Sequence, residues 1–263
     1  MVQSTEGLGL GYDPIGPTWQ LGNYFLGADN QGRDVMARLL YGGLNSIAIA
    51  GAATAFTLLF ATLIGLVAGF FGGVADMVLS RILDVLWAFP VYLLAISLSI
   101  VLITQGIVIG PFTIDSGSLL LPIFIIGLVY IPYVARPVRG QVIALRSSEF
   151  VLASIGLGAP TRRILFRDIL PNVSTTLIVF VPIMMALNML TESALSFLSI
   201  GVQPPDASWG TIIQDGQNLL YSRPMVALAP GLAIAVTVMT LNVFGDGVRD
   251  ALDPRSKLRI GGD

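Results

Sequence analysis

The sequence contains no cysteine and no histidine. Without thiols there are no disulfides, iron–sulfur clusters, thiolate zinc sites or cysteine nucleophiles. Without imidazole the commonest general base and the commonest metal ligand are both missing. Charge is scarce as well: 11% of the 263 residues are Asp, Glu, Lys or Arg, less than half of the roughly 25% usual in soluble chains. What remains is 54% hydrophobic with a mean hydropathy of +0.82, a composition suited to a bilayer. Fourteen basic against sixteen acidic residues leave a net charge of −2, too balanced to attract nucleic acid. No G-x-x-x-x-G-K-[ST] phosphate loop occurs, so the chain itself is not expected to bind or hydrolyse ATP.

A bilayer core of about 30 Å needs about 20 apolar helical residues. Five uncharged runs are long enough: 39–75 (37 residues), 85–114 (30), 116–135 (20), 169–191 (23) and 224–245 (22). They predict an all-α, polytopic transmembrane bundle with helices near 44–71, 85–109, 119–135, 173–197 and 224–246. The division is a 1–43 extracytoplasmic segment, a 44–250 transmembrane domain and a 251–263 cytoplasmic tail. Five spans put the termini on opposite sides, and the basic residues say which is which. Arg33, Arg38 and Arg223 lie on one side. Arg81, Arg136, Arg139, Arg146, Arg162, Arg163, Arg167, Arg249, Arg255, Lys257 and Arg259 lie on the other. Positive charge stays in the cytoplasm, which places the C-terminus and the 136–171 loop inside and the N-terminal segment outside. No signal-peptide pattern follows Met1 to carry that segment across.

Within the spans, Gly65, Gly69 and Gly73 repeat at every fourth position, a small-xxx-small pattern for close helix packing within the chain or against a second copy. Pro90, Pro122, Pro132, Pro182 and Pro230 predict kinks. Glu192 is the one ionisable residue deep in an apolar stretch, and two readings stand side by side: a translocation-pathway residue or a solvated carboxylate at a helix end. The polar 199–223 segment, Pro/Gly-rich with Trp209 at interfacial depth, is either an ordered cap over an outer vestibule or a connecting loop. Its length favours an ordered functional loop.

The 136–171 loop is too polar for the membrane and too short for a domain. Ser147-Ser148-Glu149 predicts a capped helix start, Gly156 and Gly158 its end. A basic amphipathic helix at 160–169 then carries Ile164, Leu165 and Ile169 opposite Arg162, Arg163 and Arg167, until Pro171 redirects the chain. The stretch Glu149 to Asn172, with Gly158 and Leu170-Pro171 at matching spacing, resembles the "EAA" coupling loop of ABC importer permeases. Leu26 to Gly42, Ala194 to Pro205 and Asn242 to Pro254 resemble the dipeptide/oligopeptide/nickel branch of that family, in the right order over about 26–256.

The resemblance implies a type I importer permease in the inner (plasma) membrane of a prokaryote. It would pair with a second homologous permease around a pathway, amid membrane lipid. Two cytoplasmic ABC ATPases carrying ATP and Mg would drive it, and an extracytoplasmic solute-binding protein would deliver di- or oligopeptides. It would bind no cofactor itself and would not act as an enzyme. It implies a coupling segment of Glu149, Ala153, Ser154, Gly156, Gly158, Ile169, Leu170 and Pro171. Where the family has Glu-Ala-Ala, this chain reads Leu152-Ala153-Ser154. The family pattern has six spans, beginning in the cytoplasm, so a further helix is expected upstream of residue 1 or from a partner. The alternatives are an ion-coupled transporter or channel, which would need more buried carboxylates than Glu192, an intramembrane enzyme, for which paired catalytic groups are missing, and an ABC permease for nickel or another small solute.

Overall fold

The computed structural model describes residues 16–21, 24–109, 112–115 and 117–252. The first part of the expected extracytoplasmic segment and nearly all of the C-terminal tail lie outside the described residues. Helix α1 (Val35–Phe71) is followed by α2 (Gly73–Trp87), α3 (Val91–Gln105), a hairpin of β1 (Ile107–Ile109) and β2 (Phe112–Ile114), α4 (Leu120–Val129), α5 (Ile131–Arg146) and α6 (Glu149–Gly156). A single turn α7 (Thr161–Arg163), a π-helical stretch Ile164–Ile169 and α8 (Leu170–Phe197) form one continuous rod. The short α9 (Trp209–Gly216) and the long α10 (Met225–Leu252) complete the chain. The fold class is helical and membrane-spanning, the three-residue strands being a small addition in the loop after α3.

Three helical rods are long and apolar enough to cross a bilayer, Val35–Phe71, Thr161–Phe197 and Met225–Leu252, and two bent pairs raise the number to as many as five. The bends follow from backbone chemistry. Between α2 and α3 the axis turns by 87° at Ala88-Phe89-Pro90, because proline forces its predecessor out of the helical region and then starts the next helix well. Between α4 and α5 the turn is 45°, at Tyr130 just ahead of Pro132. The α1–α2 break needs glycine: Gly72 has φ 65° and ψ −157°, and Gly73 has φ 54°, a conformation that a Cβ disfavours.

Several boundaries differ from the sequence expectation for one reason: charges inside helices are paired rather than excluded. Helix α1 begins at Val35 rather than 44, so the last nine residues of the expected 1–43 segment, 35–43, are helical. Helix α5 runs on to Arg146, so the 136–171 loop opens with helix. Its Arg136 donates to Asp84 (2.9 Å) and lies 5.2 Å from the Trp87 ring centre, while Arg139 forks onto both oxygens of Asp76 (2.5 and 2.6 Å). Pro171 does not redirect the chain. The wider π turn before it accommodates the imino ring, and Asn172 Nδ2 donates to the Asp168 carbonyl (2.7 Å).

The described chain falls into two compact units. One comprises Met1–Ala52, Ala95–Ile126 and Ala186–Thr240, the other Ala53–Leu94, Gly127–Met185 and Leu241–Asp263. The core of the first contains Ala50, Met189, Trp209, Ile212 and Ile234, with a neighbouring group of Leu26, Val35, Leu219 and Val226. In the second, α1 packs on α5 at glycines. A Cβ on Gly65 would stand 2.5 Å from Val138 Cγ1, and one on Gly69 would stand 2.7 Å from Val142 Cβ. Gly73, expected to continue this packing stripe, has nothing within 4 Å of its Cβ position. It serves the turn instead, since the helix has already ended at Phe71. Helix α4 meets α1 in the same manner at Gly127, whose carbonyl accepts Thr57 Oγ1 (2.8 Å) and whose Cβ would come within 2.6 Å of Phe56.

Candidate functional site

Helix α6 is short, protruding and apolar on its outer side. Val151 is buried against its own unit, whereas Phe150, Leu152 and Ile155 are about half exposed and Leu157 is 88% exposed. Exposed leucine and isoleucine on and just after an eight-residue helix that is not part of a span constitute a surface that a partner would cover. Its start departs from expectation: Ser148 occupies the N-cap position, but its hydroxyl donates back to the Leu145 carbonyl (2.5 Å) instead of accepting from the new helix. The acid of the first turn, Glu149, remains to favour the positive helix end. The end of α6 is built as expected. Gly158 has φ 74°, the Ala159 N–H donates to the Ser154 carbonyl (3.0 Å), and the Gly158 N–H donates to the Ile155 carbonyl (2.9 Å). Those two bonds form a Schellman motif, which closes a helix sharply and needs a left-handed residue at this place.

The other coupling residues expected from sequence lie close by in the chain. Ala153 and Gly156 are exposed on α6 and Ser154 is half-buried. Among the described residues, apart from chain neighbours and the helix's own backbone, nothing lies within 4 Å of a Cβ placed on Gly156 or Gly158, so their small size leaves room outside the molecule. Ile169 is fully buried at the end of the π-helical stretch, and Leu170 and Pro171 open α8. A hollow of about 400 Å³ is lined by Pro160, Arg162, Arg163, Phe166 and Arg167. The arrangement is a rigid, apolar knob beside a basic surface, held on the α5 and π-helical segments.

The second polar site lies in the first unit. Glu192 is 0% exposed and therefore not a solvated carboxylate at a helix end. Its Oε2 accepts from Ser46 Oγ of α1 (2.9 Å) and from Ser193 Oγ (3.5 Å), and its Oε1 accepts from Ser196 Oγ (2.7 Å). The same serines hold the following segment: Ser46 Oγ accepts the Trp209 N–H (3.1 Å) and Ser196 Oγ accepts the Val202 N–H (3.0 Å). Residues 199–216 are thus ordered, with Ser208 and Thr211 forming a reciprocal capping box at the start of α9. Trp209 is in the core rather than at an interface. Its Nε1 donates to the Leu39 carbonyl (2.9 Å), and Gly43 gives it room, since a Cβ there would lie 2.8 Å from the indole.

Sequence reasoning missed the ion cluster beside this cap. Asp29 Oδ2 accepts from Arg33 Nε (2.7 Å) and Arg38 Nη1 (2.6 Å), its Oδ1 accepts the Gln31 and Arg33 N–H groups (both 2.9 Å), and Asp215 Oδ2 receives both guanidinium groups at 2.7 Å. The only signal for it was an arginine, Arg38, that ends an apolar run without ending the helix. Cavities of about 270 Å³ and 340 Å³ adjoin the cluster, both lined by Arg38 and Asp206. Outside the membrane rods, burial and the nearby Asp34 charge raise the pKa of Tyr24 above the usual phenol value. Among the described residues no group of three or more His, Cys, Asp or Glu is placed to hold a metal ion.

Comparison with known proteins agrees with this geometry. The chain is 38% identical over 234 residues to the dipeptide transport system permease protein DppC of Alkalihalophilus pseudofirmus, covering 89% of this chain and 73% of that one. It is 40% identical over 233 residues to the oligopeptide transport system permease protein OppC of Bacillus subtilis, covering 89% and 72%. A chain of the inward-facing MetNI methionine ABC transporter shares the fold, with a TM-score of 0.64 at 18% identity, over 83% of this chain and 97% of that one. Residues 61–258 match the family described as binding-protein-dependent transport system inner membrane component. With a multi-helix membrane fold and a match over most of its length, the chain belongs to that family of inner-membrane transport components.

Proposed function

We propose that the chain is a permease subunit of an ATP-driven importer for di- or oligopeptides, forming a pathway with a second permease. The cargo reading rests on the relatives, whose names are those of dipeptide and oligopeptide permeases at 38% and 40% identity. The coupling reading rests on α6: its outer apolar side and its closed C-terminus suit a helix seated in a groove of a cytoplasmic ATPase, moving as a rigid body with it. Two such ATPases bind the ATP and Mg, and this chain contributes no catalytic residue. A solute-binding protein meets the opposite side. The eleven-to-three distribution of basic residues supports an orientation with α6 and the C-terminus in the cytoplasm and the 199–223 segment outside.

The test is co-purification with the genetically neighbouring permease, ATPases and binding protein, followed by reconstitution. Peptides of two to five residues presented on the binding protein should raise ATP hydrolysis severalfold and accumulate inside the vesicles. Stimulation by a nickel chelate, with none by peptides, would replace the cargo reading while leaving the permease reading in place.

A further inference from the structure

Glu192 lies apart from the proposed coupling helix and takes no part in docking an ATPase, yet, like Asp29, it is a fully enclosed ionisable group of the first unit. Its carboxyl accepts from the serine hydroxyls of Ser46, Ser193 and Ser196. Two of them, Ser46 and Ser196, use their oxygen a second time to accept backbone N–H groups of Trp209 and Val202. A hydroxyl committed as donor to a buried acid presents its lone pair in a fixed direction, so the acid orients both relays. The N–H groups so captured open the two halves of the 199–216 cap. Val202 follows the turn at Ser199, whose φ is 64°, and Trp209 starts α9. The 199–208 half is otherwise fastened by Asn45 Nδ2 to the Ala207 carbonyl (2.8 Å), and the α9 half by Trp209 Nε1 to the Leu39 carbonyl and by the Arg33 and Arg38 guanidiniums on Asp215, with Gln214 donating to Ser199 Oγ within the cap.

We propose that Glu192 is a positioning residue: through Ser46 and Ser196 it latches the 199–216 cap onto α1 and α8. It thereby sets the shape of the two cavities lined by Arg38 and Asp206. The latch is a device for holding and releasing the cap, and it does not depend on the identity of the cargo. Cap residues line both cavities, Pro205, Asp206 and Ala207 in the smaller and Gln203, Pro204 and Gln214 among those in the larger. Any opening of the cap therefore changes them together.

The absence of cysteine from the chain makes a direct test available. Ile212 in α9 and Val142 in α5 are both fully buried, one on the inner side of the cap and one in the other unit. Ile212→Cys and Val142→Cys are made separately in the assembled, detergent-purified transporter, and their alkylation by N-ethylmaleimide is timed. Releasing two buried hydrogen bonds should raise the population of open cap about tenfold or more. Glu192→Ala should therefore speed labelling at residue 212 by that factor, with residue 142 unchanged. Glu192→Gln, which keeps one acceptor oxygen, should give a smaller increase, and Ser46→Ala added to Glu192→Ala should add little, because both break one relay. Unchanged labelling at residue 212 overturns the proposal. Equal acceleration at both positions also overturns it, since Glu192 would then stabilise the whole bundle and not the cap.

Discussion

The closing turn of α6 offers the sharpest perturbation. Gly158 sits at φ 74° with open space where a Cβ would be, so Gly158→Ala changes conformational energy and nothing else within the chain. An L-residue in that region costs roughly 1–2 kcal/mol, a factor of about 5–30 in the balance between the closed and the frayed helix end. Gly158→Asn, tolerated in the left-handed region, should cost less. Gly156 provides the control. It is helical, equally unobstructed, and alanine there should firm the helix by up to about 1 kcal/mol. If α6 is a rigid docking element, uptake into vesicles by the reconstituted transporter should be highest for the unaltered chain, lower for Gly158→Asn and lowest for Gly158→Ala, while the Gly156→Ala variant keeps its ATPase bound. A bulky residue at position 156, Gly156→Trp, starts from an open Cβ position, so loss of bound ATPase from a chain that still inserts normally reports the partner's surface. The reasoning fails if Gly158→Ala and Gly156→Trp both retain the ATPase and transport at the native rate. It fails equally if Gly158→Ala prevents insertion of the chain into the membrane.

Three further outcomes follow from the packing and charge. Gly69→Leu should destabilise the α1–α5 contact by about 1–3 kcal/mol through overpacking, lowering the thermal midpoint in detergent, and Val142→Ala should recover part of the loss because Val142 is the side chain it strikes. Arg38→Ala leaves the buried Asp29 short of a partner and should cost about 3 kcal/mol, read as increased trypsin sensitivity, whereas Arg33→Ala, at a more exposed guanidinium, should cost less; equal effects would contradict the burial argument. Single cysteines at the fully exposed Tyr221 and at the exposed Thr161 should respectively react and not react with an impermeant maleimide in intact cells, and the reverse pattern would invert the orientation.

Long apolar runs, glycine spacing and prolines are legible without a structure because each acts locally: hydropathy marks a span, and Pro90 and Pro132 mark bends. The Gly65–Gly69 contact is legible for the same reason, while Gly73 misleads because four-residue spacing continues on paper after the helix has stopped. Charges that pair across long sequence separations are not legible. Arg38 with Asp215 is 177 residues apart, and Arg139 with Asp76 is 63 apart. A rule that ends helices at charges therefore shortens α1 and α5. The same limitation misplaces Trp209, since aromatic enrichment at membrane surfaces is an average and the void made by Gly43 is a particular.

The π-helical stretch between α7 and α8 has a bearing on how sequences in this region can drift. A π turn accommodates one residue more than an α turn of the same span. Loss of one residue within 164–169 would leave an ordinary helix, with α6 and α8 still in their present rotational relation. The same loss within 170–191 would swing every later side chain by about 100°, turning Glu192 away from Ser46. A one-residue length difference between otherwise functional chains is thus expected to settle in this one short interval.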